Sequence, residues 1–430
     1  MTRSLRLPIT NTFADGGYCV RAHIGAHQQT VHLILDTGSS TLVLGDIHYH
    51  VERDGDVRFT YYSQSIKYAA GSWHGPVVKT TVRLGIFGHS ISLPQTYVAI
   101  AKESQETKES CFKKADGIMG LAYQPLNHAY RCTDKITCEM SEQAIFEKAL
   151  AEPNESAIIN LKTADYVATT LPSYFSELEQ RQINADKFAF WLHRSSVYNV
   201  DGNCLRAALA HRKNHGLFVI GEPIFHRDLY APPIMSVKVL HDKYYNVTLK
   251  AVKCGENEGI KAPALDKSDE ARWCSNAIVD SGATVIGLPE SLYNEVIEQI
   301  FCRVDNAKTL LEPFAAFSLE EQGIDLEKLD LAQWPELTFV LEGDEGEDIL
   351  LSLPPEAYWQ EHAPTFNQAS FKIFPLKHWP NQSILGLPLI SQYYTIFDRG
   401  QGTNGVVSFA RKVTLSDTVD ALKHVFDKNS

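Results

Sequence analysis

No run of roughly 18 consecutive apolar residues occurs in the chain, so no membrane-spanning helix is expected. Basic residues are outnumbered, 40 Lys+Arg against 52 Asp+Glu, for a formal net charge of -12. With no Lys/Arg-rich run to offset it, that balance speaks against nucleic-acid or anionic-membrane partners, which need a basic face. The eight cysteines (Cys19, Cys111, Cys132, Cys138, Cys204, Cys254, Cys274 and Cys302) show no C-x-x-C and no zinc-ligand spacing. Free thiols are the expected state, although an oxidising compartment could join Cys132 to Cys138 or Cys254 to Cys274. H-E-x-x-H, G-x-S-x-G and the P-loop pattern are all missing, so zinc-protease, serine-hydrolase and P-loop readings have no support and no cofactor is expected. His48, His50 and Glu52 could offer metal ligands from a strand, and His23 and His27 flank a Gly turn. Surface histidines are the plainer account of both, and no metal is expected. Residues 1–17 carry Arg3 and Arg6 but no apolar core of a secretory signal, so a cytoplasmic location is expected.

What is present is the composition of an ordinary globular protein, 44% hydrophobic and 21% charged over 430 residues. That length exceeds what one compact core usually holds, so two lobes are the default expectation. Short β-branched runs between Gly-containing turns dominate, and residues 31–44, 75–84 and 90–101 read as strands. Helical windows are fewer. Residues 141–152 begin with Ser141 as N-cap and carry Ile145, Ala149 and Leu150 at helical spacing. Residues 289–301 open on Pro289 and place Leu292, Val296 and Ile300 on one face. The tail, 413–430, reads as a helix packed on the body through Leu415, Val419, Leu422 and Phe426. No Pro/Ser-rich linker marks a domain boundary, but an internal repeat does. LILDTGSSTLVL at 33–44 and AIVDSGATVIGL at 277–288 align residue for residue. Each is followed by an apolar-apolar-Gly step, Ile118-Met119-Gly120 and Ile384-Leu385-Gly386. A period this long is the duplication of a whole lobe.

The repeated element has a chemical meaning. An apolar strand delivers an Asp at its end, and the Gly that follows lets the backbone turn sharply and bring its N–H close to the carboxylate. One such turn is ordinary loop chemistry; two in the same hydrophobic frame are a strong signal. If the lobes face each other, Asp36 and Asp280 meet across a cleft and cannot both ionise cheaply. One carboxyl then keeps a proton while the other is charged, a general acid beside a general base. Water held between them can be deprotonated and added to an amide carbonyl without a metal or a covalent intermediate.

With both Asp-[Thr/Ser]-Gly motifs, both apolar-apolar-Gly steps and the closing QYYTIFDRGQGTNGVVSFA (392–410), the sequence resembles the pepsin-like aspartic proteases from about residue 16 to 412. The resemblance implies a mostly β, bilobal fold with the active-site cleft between two pseudo-symmetric lobes. It implies Asp36 and Asp280 as the catalytic dyad, Thr37 and Ser281 as the hydroxyls that brace the two loops, Gly38 and Gly282 as the turn residues, and Ser39 as a donor to Asp36. A flap hairpin is implied at 68–75, with Tyr68 as its tyrosine, Gly71 and Ser72 at the tip, and Trp73 in a pattern that resembles the flap of β-secretase. Ile34, Tyr68, Ile118 and Ile278 would then surround the scissile bond; packing beside the active-site strands is the alternative for the isoleucines.

The resemblance further implies an endopeptidase acting near apolar residues at acidic to mildly acidic pH. It would be sensitive to statine-type inhibitors such as pepstatin, with peptide or protein substrates, and monomeric. A catalytically inert peptide binder or inhibitor on the same fold is the alternative, disfavoured because both motifs are intact. The chain departs from the family in having Val43 where a Trp is frequent, and in having no Cys between Cys19 and Cys111. It also has Ala283 where a hydroxyl residue is usual, so Asp280 is expected to titrate above the family norm. The expected lobes are 1–195 and 196–412, with insertions around 124–172 and 196–215. Asp36 lies so near the start that no room for a prosegment is expected, which fits the family's prokaryotic, non-secreted members.

Overall fold

The apolar frame of the repeat becomes the same three-strand unit twice. In the first copy Gln29–Asp36 runs parallel to Gly117–Gly120, with Ile34 opposite Ile118 and Asp36 opposite Gly120. The chain turns after Asp36 and returns as Leu42–Gly45, antiparallel on the other side of Gly117–Gly120. The apolar-apolar-Gly step is thus held between the two arms of its motif. In the second copy Ala277–Val279 runs parallel to Ser383–Leu385, and Ile286–Pro289 closes on the far side. Leu33, Leu35, Val43, Leu44 and Met119 are all buried, the near-continuous apolar pattern of strands covered on both faces. A Cβ on Gly120 would lie 2.5 Å from the Ser40 backbone, and one on Gly386 would lie 2.1 Å from Val285 O. Only a residue without a Cβ lets the central strand pass so close.

The computed structural model describes residues 4–68, 71–86, 89–102, 112–133, 140–151, 166–181, 186–316, 318 and 320–413, and among them strands predominate. One sheet joins the two halves of the chain. Leu5–Ala14 pairs antiparallel with His215–Ile220, Leu7 opposite Phe218. Lys187–Leu192 pairs with His215–Ile220 on one side and Tyr393–Asp398 on the other. The 195/196 position therefore lies in the connection between two hydrogen-bonded strands. Under this sheet sits an aromatic centre: Phe188 stacks on Phe397 with ring centroids 4.8 Å apart, and Tyr245 meets Phe397 edge-on at 4.6 Å.

Arg58–Tyr68 and Gly71–Ile86 form a long hairpin with Ile66 opposite Trp73 and Tyr68 opposite Gly71. The longer insertion adds to this hairpin. His128–Cys132 joins it through Tyr62 opposite Arg131, and Tyr166–Thr170 pairs outside that strand. Helix Glu142–Ala151 forms where expected, with Ser141 Oγ accepting from the Ala144 N–H at 3.2 Å and Phe146 packed on Phe59 at 5.0 Å. Helix Glu290–Phe301 buries Leu292, Val296 and Ile300. The expected helix at 413–430 lies outside the described residues beyond Val413.

One expectation is corrected. His48 and His50 are not on a strand: the strand ends at Gly45, and the buried Tyr49 hydroxyl donates to Asp54, which curls the segment inward. Cys254 and Cys274 carry the expected free thiols, not the alternative bridge. Cys254 ends a buried strand opposite Leu337, whereas Cys274 caps a short helix, and both are free thiols. Cys138 is outside the described residues. No described helix is long and apolar enough to cross a membrane, and no group of three or more described His, Cys, Asp or Glu is arranged to hold a metal.

Because a Cβ on Gly120 would run into the Ser40 backbone, Gly120→Ala is expected to lower stability by about 2–3 kcal/mol. A thermal-unfolding midpoint equal to that of the parent chain would show that the central strand has room to spare.

Candidate active site

Each repeat delivers one carboxylate, and the backbone after it is tied down at once. Asp36 O accepts from the Leu121 N–H at 2.7 Å, and the Asp280 N–H donates to Leu385 O at 3.0 Å, so both residues are held by their own threaded segment. The next residue crosses to the other half. Thr37 Oγ1 donates to Val279 O at 2.9 Å and accepts from the Ser281 N–H at 2.8 Å. Ser281 Oγ donates to Leu35 O at 2.8 Å and accepts from the Thr37 N–H at 3.0 Å. These four buried bonds are reciprocal and fix the two loops against each other. The glycines complete the approach. A Cβ on Gly38 would lie 2.7 Å from the Asp280 carboxyl oxygens, and one on Gly282 would lie 2.3 Å from Asp36 Oδ1 and 3.2 Å from Asp280 Oδ1. Each glycine therefore makes room for the carboxyl of the opposite half, and Asp36 and Asp280 hydrogen-bond to one another.

The electrostatics of the pair follow from its burial. Asp36 is buried and Asp280 half-buried. Desolvation is the largest influence on both and pushes both above the ordinary carboxylate value, Asp280 to about 8, with the Asp36 charge adding to it. Asp36 is opposed by the Ser39 hydroxyl, which donates to Oδ2 at 2.5 Å, and by the Gly38 N–H, which donates to Oδ1 at 2.8 Å. Asp280 is opposed only by backbone, the Gly282 N–H at 2.8 Å and the N–H of Ala283. The pair titrates as a unit and keeps one proton well above the usual carboxylate range.

Around the dyad, Ile34, Ile118 and Ile278 are all buried, at 7%, 5% and 6% exposure. Ser72 is exposed near the hairpin tip, beside Gly71, while Trp73 turns inward to 2% exposure. Trp73 shares one apolar cluster with Ile34, Val43 and Ile118. Trp73 thus joins from the hairpin the same cluster that Val43 joins from the first motif. The side chain of Tyr68 is outside the described residues; its backbone pairs with Gly71.

Two further groups were not singled out by the sequence. Tyr244 is half-buried, and its phenol is raised by burial and then by the charges of Asp280 and Asp36, which places it in the field of the dyad. It precedes Asn246–Val247, whose Asn246 pairs with Ile278, so the register of that short strand was the available signal. Arg399, from the closing motif, donates to Ala122 O at 2.9 Å, to Leu121 O, and through Nε to Tyr245 Oη at 2.9 Å. The Tyr245 hydroxyl donates to Leu121 O at 2.8 Å. The far end of the sequence thus ties the loop behind Asp36 to the second half.

A family model described as "Eukaryotic aspartyl protease" matches residues 17–152 and 169–412. The chain is similar to the probable vacuolar protease A of Arthroderma benhamiae, at 22% identity over 410 residues, covering 93% of this chain and 80% of that protein. It is similar to gastricsin of Mus musculus, at 22% over 412 residues (92% and 81%), and to pepsin A of Gallus gallus, at 22% over 410 residues (93% and 86%).

The carboxyl of Asp280 is ordinary in the unfolded chain and raised in the folded one, so folding takes up a proton between about pH 4 and about pH 8, and stability falls as pH rises through that window. Asp280→Asn is therefore expected to melt higher than the parent at pH 7, with the gap closing at about pH 4; equal melting at both would refute the shared proton. Ala283→Thr supplies a hydroxyl at the place equivalent to Ser39. It should move the upper carboxyl titration, followed by carbon-13 NMR, to lower pH.

Proposed function

The chain belongs to the eukaryotic aspartyl protease family and is a pepsin-type peptide hydrolase; from that premise we propose that it is an endopeptidase whose general base and general acid are Asp36 and Asp280. The observation that carries this reading is the reciprocal bracing of Thr37 and Ser281, which holds the buried Asp36 and the half-buried Asp280 beside one another. The charged carboxylate, Asp36, steadied by Ser39 and Gly38, takes a proton from water as that water adds to the scissile carbonyl. Protonated Asp280 gives its proton to the carbonyl oxygen. In the second half of the reaction the dyad returns a proton to the leaving nitrogen as the C–N bond breaks, and the shared proton is restored.

Activity needs one carboxylate charged and one protonated. It rises as the first ionises and falls as the retained proton is lost, which supports acidic to mildly acidic working conditions. The hairpin at 58–86 is the element suited to cover an extended peptide, with Tyr68, Gly71 and Ser72 at its turn and Trp73 supporting it from the cluster below. Apolar preference on either side of the cut is supported by Ile34, Ile118 and Ile278, buried apolar residues of the strands that carry the two motifs or thread between their arms. We take the chain to act as a monomer of two lobes, 1–195 and 196–412, because both carboxyls come from one chain. We propose a cytoplasmic setting, in which thiols such as those of Cys254 and Cys274 stay reduced; the vacuolar name belongs to the relatives.

Cleavage of a casein-type substrate at about pH 4–6 tests the reading. Asp36→Asn is expected to lower turnover by roughly 10³-fold or more, and a statine-type inhibitor to abolish it. Undiminished cleavage by that variant would sink the assignment.

A further inference from the structure

The region following Arg194 concentrates cations that the proposed reaction does not use. Arg194 is 7% exposed, and its guanidinium carbon lies 5.2 Å from the ring centroid of Tyr198. Lys213 Nζ lies 4.6 Å from the same centroid. His211 stacks on that ring at 4.2 Å and 7°, and His362 meets it at 4.8 Å. Exposed Arg212 lies between His211 and Lys213 in sequence. Arg194 spends one terminal nitrogen on Glu361 O at 2.7 Å, but its Nε and the Nδ1 of His211 are buried without a hydrogen-bond partner. Among the described residues none of these five cationic side chains has a carboxylate within 4.0 Å. The chain carries 52 acidic residues against 40 basic ones, so a shortage of carboxylates is not the reason. Buried donors without acceptors and gathered like charges are both relieved by one kind of ligand, a small anion.

We propose that Arg194, His211 and Lys213, gathered around Tyr198, form a binding site for a tetrahedral oxyanion of the phosphate or sulfate class. With one terminal nitrogen already committed, the guanidinium offers Nε as a donor, while the ammonium and imidazole come from the short segment 211–213 rather than from the chain around Arg194. Donors on independent side chains suit an anion with oxygens on all sides better than a flat carboxylate. A metal ion is disfavoured by the neighbouring fixed positive charges.

The charge balance supports the site. Burial, followed by repulsion from Arg194 or Lys213 among others, holds Lys213 and His211 below their ordinary values. Burial also lowers His362, and it takes His193 to about 3, with Lys412, Arg212, His215 and Lys213 adding. The carboxylates whose charge reaches Arg194 are Glu321 and Glu361, and Glu321 is already paired with Lys372 at 2.5 Å. An oxyanion would favour the protonated imidazoles, so it should bind with proton uptake and more tightly as pH falls through the ordinary histidine range.

Titration calorimetry of the full chain with sodium sulfate, whose charge is constant over this range, tests the proposal. One saturable site is expected, with affinity about tenfold higher at about pH 5 than at about pH 7.5 and heats that vary with the buffer's ionisation enthalpy. Lys213→Gln and His211→Asn should each weaken binding about tenfold, the size of one charge-assisted hydrogen bond, and leave peptide cleavage unchanged. Arg194→Gln should abolish binding; if that variant does not fold, the other two carry the test. Inorganic phosphate and a phosphoserine peptide compared in parallel separate the sources. Tighter binding of the peptide assigns the site to a phosphate group carried on a chain, and equal binding assigns it to the free ion. No saturable binding, or binding unaltered in Lys213→Gln and His211→Asn, would overturn the site.

Discussion

Two carboxyl groups held side by side away from water repel each other once both are charged, and the rest of this structure is arranged around keeping them together. The backbone following each Asp is committed to hydrogen bonds with a buried hydroxyl of the opposite half. Thr37 and Ser281 make those bonds across the two halves, so neither loop can retreat from the other without leaving buried donors unpaired. Gly38 and Gly282 remove the only atoms that would keep the carboxyls apart. Behind Asp36, Arg399 and Tyr245 hold the Leu121–Ala122 carbonyls and stop the first half from relaxing backwards. The cost of proximity is thus met by hydrogen bonds that lie outside the carboxyls themselves.

The two halves are alike in backbone and unlike in charge. Asp36 has a hydroxyl donor at 2.5 Å, whereas the equivalent position in the second copy is Ala283. A duplicated frame with one donor missing sets the two carboxyls in different electrostatic surroundings. The symmetry supplies geometry, and the single broken position makes the two halves unequal.

Much of this was legible in the sequence because it was written twice. The Asp, the Thr or Ser and the Gly of each motif stand in the same apolar frame, and the apolar-apolar-Gly steps mark the strands that thread between the arms. Helices 142–151 and 290–301 were legible from local spacing and caps. Other features had no local signature. Arg399 reaches Leu121 across 278 positions, and Trp73 enters the cluster of Val43 from a different strand. Tyr244 enters the field of the dyad only because Asn246 pairs with Ile278. The turn at His48–His50 was misread as strand because the bond from Tyr49 to Asp54 is a tertiary demand that overrides β-propensity.

The sheet that joins the halves has a consequence for the order in which the protein is made. Leu5–Ala14 leaves the ribosome well before one of its two neighbours, His215–Ile220, which follows some two hundred residues later. Until that neighbour appears, the first strand has one edge unpaired, and the strand at 187–192 in turn awaits 393–398. The first half therefore cannot finish folding by itself during synthesis. Its last hydrogen bonds close only when the second half arrives, which makes completion of the cleft a late, non-local event in biogenesis.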